Sequence, residues 1–187
     1  MLVNTFFEKR VEQLLGVTER LARALSEAGI AYRIVGGLAV YLHVEAADPG
    51  AGRLTRYVDA AVARQDLEAI IRATAPFGFT FRHVAGVDML LDAAQPNVRR
   101  AVHLIFAGEK VRPEDSETVP GFTPPARFRE VLVAPVADLV RRKLTSFRDK
   151  DRVHVRELDG AGLITPEIEA GLPEGLRERL QVIRATE

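Results

Sequence analysis

The spacing of apolar residues divides the chain into a helical start, a middle rich in strands and a helical end. Over 5–28 apolar residues recur every three or four positions, which predicts an amphipathic helix that ends at Gly29. Shorter apolar runs bounded by turn residues predict strands and short helices in the middle of the chain. The predicted strands are 32–35, 57–62, 80–84, 87–91, 101–106 and 127–133, and the predicted helices are 38–44 and 66–74.

The helical period returns at Pro135, which is well placed to start a helix. A second helix is predicted to run through Leu158, and a third, over 166–184, to be interrupted at 171–173. This order predicts an α+β fold with a mixed, mostly antiparallel sheet flanked by helices. We expect a core over 1–134 and a helical C-terminal segment over 135–187 that packs on it.

The composition narrows the classes of partner. The chain has 26 basic and 26 acidic residues, so its net charge is zero and no global field favours nucleic acid or an anionic membrane. It contains no cysteine, which excludes disulfides, thiolate zinc sites and cysteine nucleophiles. Charged residues interrupt the first ten residues, where a signal peptide would need an apolar run, and they also interrupt the longest apolar run, so we expect no membrane span there. The expectation is a soluble bacterial protein of the cytoplasm.

The strongest candidate for chemistry is the glycine pair Gly36-Gly37, between the strand 32–35 and the helix 38–44. Glycines at such a turn let the backbone approach a ligand closely, and the exposed N–H groups of a helix start favour phosphate. Close packing of helix on strand can require the same pair, so the turn alone leaves both roles open.

A second motif, Arg53-Leu54-Thr55-Arg56-Tyr57-Val58-Asp59, follows at the next strand. Together the two resemble the nucleotidyltransferase superfamily, which includes polymerase beta and the minimal and abortive-infection-type nucleotidyltransferases. The resemblance covers about 5–163. It implies transfer of a nucleoside monophosphate from an NTP to a hydroxyl acceptor, with Mg²⁺ or Mn²⁺ as cofactor. The resemblance assigns nucleotide binding to Gly36, Gly37, Arg53 and Thr55, and a catalytic, metal-binding role to Asp59.

Two positions depart from that pattern. Tyr57 stands where the family has the first of two aspartates, and His103 stands where a third carboxylate is expected on a later strand. A phenol is a poor ligand for a hard cation, and imidazole is an uncommon partner of Mg²⁺. One alternative is therefore that His103 and Asp59 are both metal ligands. The other is a structural role for both residues.

The segment from Lys143 to His154 resembles the Lys-x3-4-Arg-x-Lys-Asp segment of abortive-infection-type nucleotidyltransferases. Lys143 interrupts an apolar helix face, where an ammonium is costly unless it is paired or directed into a cleft. We therefore expect Lys143 to point toward the glycine turn, and Arg148 and Lys150 to reach the same phosphates. The alternative is a set of surface ion pairs, such as Arg148 with Asp151. His154 is assigned a structural role.

Two functions remain open from the sequence. The first is an enzyme that transfers a nucleoside monophosphate from an NTP to a hydroxyl. The second is a degenerate relative that binds a nucleotide, another phosphate ligand or a partner without transfer, as in a toxin–antitoxin type of system. The loss of carboxylates at Tyr57 and His103 favours the second. The sequence specifies neither the acceptor, nor the base, nor whether the chain forms a homo-oligomer.

Overall fold

The computed structural model describes residues 2–53, 55–94, 96–97 and 101–186, with residues 2–8 described by their backbone alone. The helices are α1 Leu2–Glu27, α2 Gly36–Ala47, α3 Leu67–Thr74, α4 Val136–Ser146, α5 Asp149–Gly160, α6 Pro166–Ala170 and α7 Glu174–Arg184. The strands are β1 Tyr32–Val35, β2 Val58–Val62, β3 Phe79–Val84, β4 Val87–Asp92, β5 Val102–Phe106, β6 Ala126–Phe128 and β7 Val131–Val133.

The seven strands form one sheet in the order β3-β4-β5-β2-β1-β7-β6. The pairs β1–β7 and β2–β5 are parallel, and the other neighbours are antiparallel. The predicted α+β fold with a mixed, mostly antiparallel sheet is confirmed. One apolar core joins the first helix, the sheet and the last helix, as Leu21, Ile34 and Leu180 illustrate. Within the described residues, no helix is both long and apolar enough to cross a membrane.

The elements around the glycine turn are those that the sequence predicts. β1 and β2 are antiparallel neighbours, and α2 follows β1 directly. α2 begins at Gly36, two residues before the predicted range 38–44, because Gly36 itself makes the turn out of the strand with a φ of 71°. The break at 171–173 also separates two helices, α6 and α7, as expected.

The prediction of a single strand over 127–133 is wrong. The segment is a tight antiparallel hairpin of β6 and β7, in which Phe128 pairs with Val131. Arg129 makes the turn with a φ of 51°. The sequence hides this turn because left-handed positions usually carry glycine or asparagine, and an arginine gives no such signal.

Strand register decides which side chains share the open face of the sheet. Val35 pairs with Asp59, and Asp59 pairs with His103 across the parallel β2–β5 ladder. Residues paired across strands point to the same face, and alternate residues along a strand point to opposite faces. Val58 and Ala60 are buried on the other face. The open face is therefore the floor on which candidate functional side chains gather.

Candidate functional site

A groove of about 1070 Å³ lies on this open face. Its floor includes Asp59 and His103, and its walls come from α4, α5, the loop 107–125 and the turn between β3 and β4. The groove therefore collects residues from both the sheet and the helical C-terminal segment. We call it the sheet groove.

The glycine turn forms one end of the sheet groove and has no room for side chains. A Cβ on Gly36 would lie 2.0 Å from Asp59 Oδ2, and a Cβ on Gly37 would lie 2.8 Å from Thr55 Oγ1. The side chains of Asp59 and Thr55 thus pack directly over the backbone where α2 begins. The first N–H groups of a helix have no partner within the helix, and they attract anions. The start of α2 therefore places N–H donors beside the side chains of Asp59 and Thr55.

Three side chains stand at the positions where the resemblance implies metal ligands. His103 Nδ1 lies 3.2 Å from Asp59 Oδ1, within hydrogen-bonding distance. The ring of Tyr57 lies 5.1 Å from the ring of His103 at an interplanar angle of 31°. Both Asp59 and His103 are only partly buried and face the sheet groove. The cluster is an aspartate held by an imidazole, not a group of carboxylates.

This donor set does not fit a pair of divalent cations. Two-metal sites use clustered carboxylates to offset the charge of the ions, and Mg²⁺ favours oxygen ligands. Here Asp59 is flanked by a phenol and an imidazole, and Lys143 adds positive charge nearby. Nowhere in the described part of the chain do three or more His, Cys, Asp or Glu side chains form a group that could hold a metal ion.

A buried ionic cluster lies in the opposite wall of the sheet groove. Lys143 Nζ donates to Asp151 Oδ1 at 2.9 Å, and Ser146 Oγ and Arg148 Nε both donate to Asp151 Oδ2 at 2.6 Å. Asp151 is fully buried and Lys143 nearly so. Asp151 thus fixes the corner between α4 and α5 and keeps Lys143 out of bulk solvent.

Burial and charge act in opposite directions on this pair. Burial lowers the pKa of Lys143, while the carboxylates of Asp151 and Asp59 raise it, and the net shift is downward. Burial would raise the pKa of Asp151, but Arg148, Lys143 and Ser146 hold it well below its usual range. The carboxylate of Asp151 therefore stays ionised.

His154 of α5 links the cluster to the glycine turn. A Cβ on Gly37 would lie 3.4 Å from His154 Cε1, so the imidazole packs against the turn. Burial and the charge of Lys143 lower the pKa of His154 to about 4. Its Nδ1 is buried without a hydrogen-bond partner among the described residues, although the side chain lines the groove. The sequence favours a structural over a catalytic role for His154, and it contains no signal that would place the side chain beside the glycine turn.

The structure brings together all but one of the predicted site residues. Those that line the sheet groove are Gly36, Gly37, Thr55, Asp59, His103, Lys143, Arg148 and Lys150. Arg53 lies outside it, largely exposed, with Nε 3.1 Å from Glu157 Oε1. The expectation that Arg53 lines the nucleotide site does not match this position, because the segment before β2 turns its side chain toward α5. The roles of the other residues stay predictions.

Five further arginines line the groove and were not predicted from the sequence: Arg33, Arg56, Arg64, Arg112 and Arg142. Arg33 shares the open face because it pairs with Ala61, and Arg142 precedes Lys143 on α4. Only strand register and helix packing reveal these positions.

Comparisons with known proteins identify the fold. No family model matches the chain, and no curated protein matches it. Among solved structures, a nucleotidyltransferase-like antigenic protein from Paracoccidioides brasiliensis matches 94% of this chain and 89% of its own length, with 17% identity and a TM-score of 0.60. The antibiotic-resistance factor ANT(2'')-Ia matches 95% of this chain and 85% of its own, with 9% identity and a TM-score of 0.50.

The chain has a nucleotidyltransferase-like fold. At these identities the likeness concerns the fold alone, and the chemistry has to be argued from the sheet groove. In this nucleotidyltransferase-like fold, the glycine turn, Asp59 and the α4–α5 corner surround one concave site.

Proposed function

We propose that the sheet groove binds a nucleoside triphosphate or a related polyphosphate, and that the protein does not perform two-metal nucleotidyl transfer. The observation that carries the proposal is the contrast between the two walls. The floor offers Asp59 already paired with His103, whereas the opposite wall supplies the exposed Lys150 beside Lys143 and Arg148, which Asp151 holds in place. Such a site attracts phosphate through cations and backbone N–H groups without requiring metal ions.

Each part of the phosphate site has a distinct role in this proposal. The N–H groups at the start of α2 hold one phosphate, beside the Asp59 and Thr55 side chains that pack over Gly36 and Gly37. Lys143, fixed by Asp151, supplies a positioned charge deep in the wall. Lys150 is exposed at the rim and attracts the outer phosphates. A fixed lysine reduces the side-chain entropy lost on binding.

Nucleotidyl transfer is the second candidate function. It is favoured by the position of Asp59, whose carboxylate packs against Gly36 directly at the glycine turn. A transferase would need a further group to neutralise the charge that develops on the phosphates. α-Labelled NTPs with Mg²⁺ or Mn²⁺ and a mixture of acceptors separate the two candidates. Label transfer that is abolished by Asp59→Asn would favour the enzyme.

Calorimetric titration with ATP, with and without Mg²⁺, tests the binding proposal. We expect saturable binding that persists without the metal. Lys150→Gln should weaken it about three- to tenfold, because one charge-assisted contact is lost. Lys9→Gln, the same change on exposed α1, is the matched control and should have no effect. Absence of binding, or equal weakening by both variants, would contradict the proposal.

A further inference from the structure

Exposed apolar side chains concentrate in the sheet groove. The described residues include five large apolar side chains that are strongly exposed: Val84 at 46%, Val87 at 40%, Val111 at 49%, Phe122 at 37% and Val182 at 52%. All but Val182 line the groove. Single exposed apolar residues are ordinary, but four that converge on one concave site are typical of a ligand-binding surface.

These residues lie at the end of the groove away from the glycine turn. Asp59 adjoins the turn, and the step along β2 from Asp59 to Ala61 leads about 6 to 7 Å further along the floor. Met89 pairs with His103, so Val87 lies beyond that pair in the same direction. We call the end at Gly36 and Gly37 the glycine half and the end at Val84 and Val87 the valine half.

The valine half has two apolar walls. Val84 and Val87 pair at the end of the β3–β4 hairpin and form one wall. Phe122 belongs to the loop 107–125 and packs under the guanidinium of Arg33, 5.6 Å from the ring centroid, on the opposite side. Ile105, on the part-buried face of β5, lies on the floor between them. An apolar surface of this kind suits a group that carries little charge.

The guanidinium of Arg64 in the valine half is already paired with carboxylates. Arg64 donates through Nε and Nη2 to the two carboxylate oxygens of Glu109, and its Nη1 lies 3.7 Å from Asp88. The same guanidinium stacks on Phe106 at 3.6 Å from the ring centroid and is half exposed. A paired, stacked guanidinium offers a flat surface for another ring rather than a free charge for phosphate.

We propose that the valine half binds the base of the nucleotide whose phosphates occupy the glycine half; this inference rests on the proposed function. A nucleoside triphosphate combines a polyanionic chain with a flat, weakly polar ring, and the two halves of the groove match those two parts in order. The strength of apolar contact and stacking depends on the area of a ring and not on the hydrogen-bonding groups at its edge. The site therefore tolerates different bases and favours purines for their larger area.

Calorimetry with inorganic tripolyphosphate and the four common NTPs tests the inference. We expect ATP and GTP to bind about tenfold more tightly than tripolyphosphate. CTP and UTP should bind with an affinity between that of the purine nucleotides and that of tripolyphosphate. Tripolyphosphate binding that equals ATP binding would overturn the base site and leave the phosphate site intact. Failure of tripolyphosphate and of every NTP to bind would overturn the base site and the proposed function together.

Paired variants locate the effect. Val84→Thr with Val87→Thr keeps the branched shape that suits a strand and makes both side chains polar. We expect ATP affinity to fall about tenfold, and tripolyphosphate affinity to stay unchanged. Val182→Thr on α7 is the matched control, since Val182 is equally exposed but lies outside the groove. Unchanged ATP affinity in the double variant, or equal losses for ATP and tripolyphosphate, would overturn the inference.

Discussion

At the scale of single residues, Gly36 is the position where backbone geometry and the site coincide most closely. Its φ of 71° lies in the left-handed region, and its missing side chain leaves the space that the Asp59 carboxylate occupies. An alanine there would be strained by its φ and would also collide with Asp59. Both effects act on the folded state.

We expect Gly36→Ala to lower the free energy of unfolding by about 2 to 4 kcal/mol, from backbone strain together with overpacking. Gly16→Ala is the matched control, because Gly16 lies within α1 and a Cβ there meets nothing within 4 Å. That change should stabilise the protein by about 0.5 to 1 kcal/mol. Urea unfolding measures the change in the free energy of unfolding for both variants. A neutral Gly36→Ala would contradict the packing described for the turn.

His154 gives a residue-scale prediction in pH. Its folded-state pKa is about 4, below the ordinary value of 6.5, because burial and Lys143 disfavour the charged ring. Between these values the unfolded chain binds a proton that the folded chain does not. Stability therefore falls as pH is lowered from 6.5 to 4, by up to about 3 kcal/mol.

Urea unfolding from pH 7 to pH 4 checks the contribution of His154. His154→Gln should flatten the acid side of the stability profile, since glutamine does not titrate. His83→Gln is the control, because His83 is an exposed histidine on β3. If both variants keep the slope of the unmodified protein, the buried imidazole is not its source.

At the scale of elements, the corner between α4 and α5 depends on one carboxylate. Asp151 accepts hydrogen bonds from Lys143, Ser146 and Arg148 while fully buried. Removing one partner of a buried ionic group leaves the others uncompensated. The position of Lys143 in the wall of the groove therefore depends on Asp151.

We expect Asp151→Asn to lower the free energy of unfolding by about 3 to 5 kcal/mol at neutral pH. The pKa of Asp151 is depressed on folding, so its contribution is present above the ordinary value of 3.8 and is lost as pH falls below it. The difference in the free energy of unfolding between the variant and the unmodified protein should therefore shrink as the pH falls below 3.8. Asp149→Asn, on the exposed face of the same helix, should change stability by less than about 0.5 kcal/mol. Equal effects of the two changes would contradict a special role for the buried carboxylate.

The elements were predictable where the signal is local. The glycine pair between an apolar strand and an apolar helix predicted β1, α2 and the turn that joins them. The hairpin at Arg129 could not be predicted, because an arginine in a left-handed conformation is stabilised by the surrounding fold. In the sequence, Asp151 stands out only as a possible partner in surface ion pairs, and its burial follows only from the packing of α5 on α4.

At the scale of the whole molecule, zero net charge conceals an uneven distribution of charge around the sheet groove. Acidic residues of the loop 107–125 pair with arginines of the surrounding elements: Glu109 with Arg64, and Asp115 with Arg142. Lys150 at the other end is exposed and Lys143 is held by Asp151. The composition could exclude a global field, but it could not reveal which charged side chains the fold gathers in the groove or which of them it pairs.

The same scaffold should accept the metal ions that its present residues do not suit. Positions 57 and 59 lie two residues apart on the segment entering β2, and His103 pairs with Asp59 across the ladder. Carboxylates at all three positions would lie close enough to share divalent cations. We expect Tyr57→Asp with His103→Asp to bind Mn²⁺ at least about tenfold more tightly than the unmodified protein, as measured by calorimetry.

The matched control for that variant is Tyr57→Asn with His103→Asn, which has side chains of the same size without the added charge. It should bind Mn²⁺ no better than the unmodified protein, because neutral amides are weak ligands for a hard cation. Urea unfolding without metal should show the aspartate variant to be the less stable of the two, since its carboxylates repel Asp59. Added Mn²⁺ should remove this difference in the free energy of unfolding, because it binds the folded aspartate variant. Equal Mn²⁺ affinity of both double variants would show that the open face does not bring these positions together as metal ligands. Strong Mn²⁺ binding and label transfer by the unmodified protein, both lost in Asp59→Asn, would instead show that Asp59 is completed by ligands other than Tyr57 and His103.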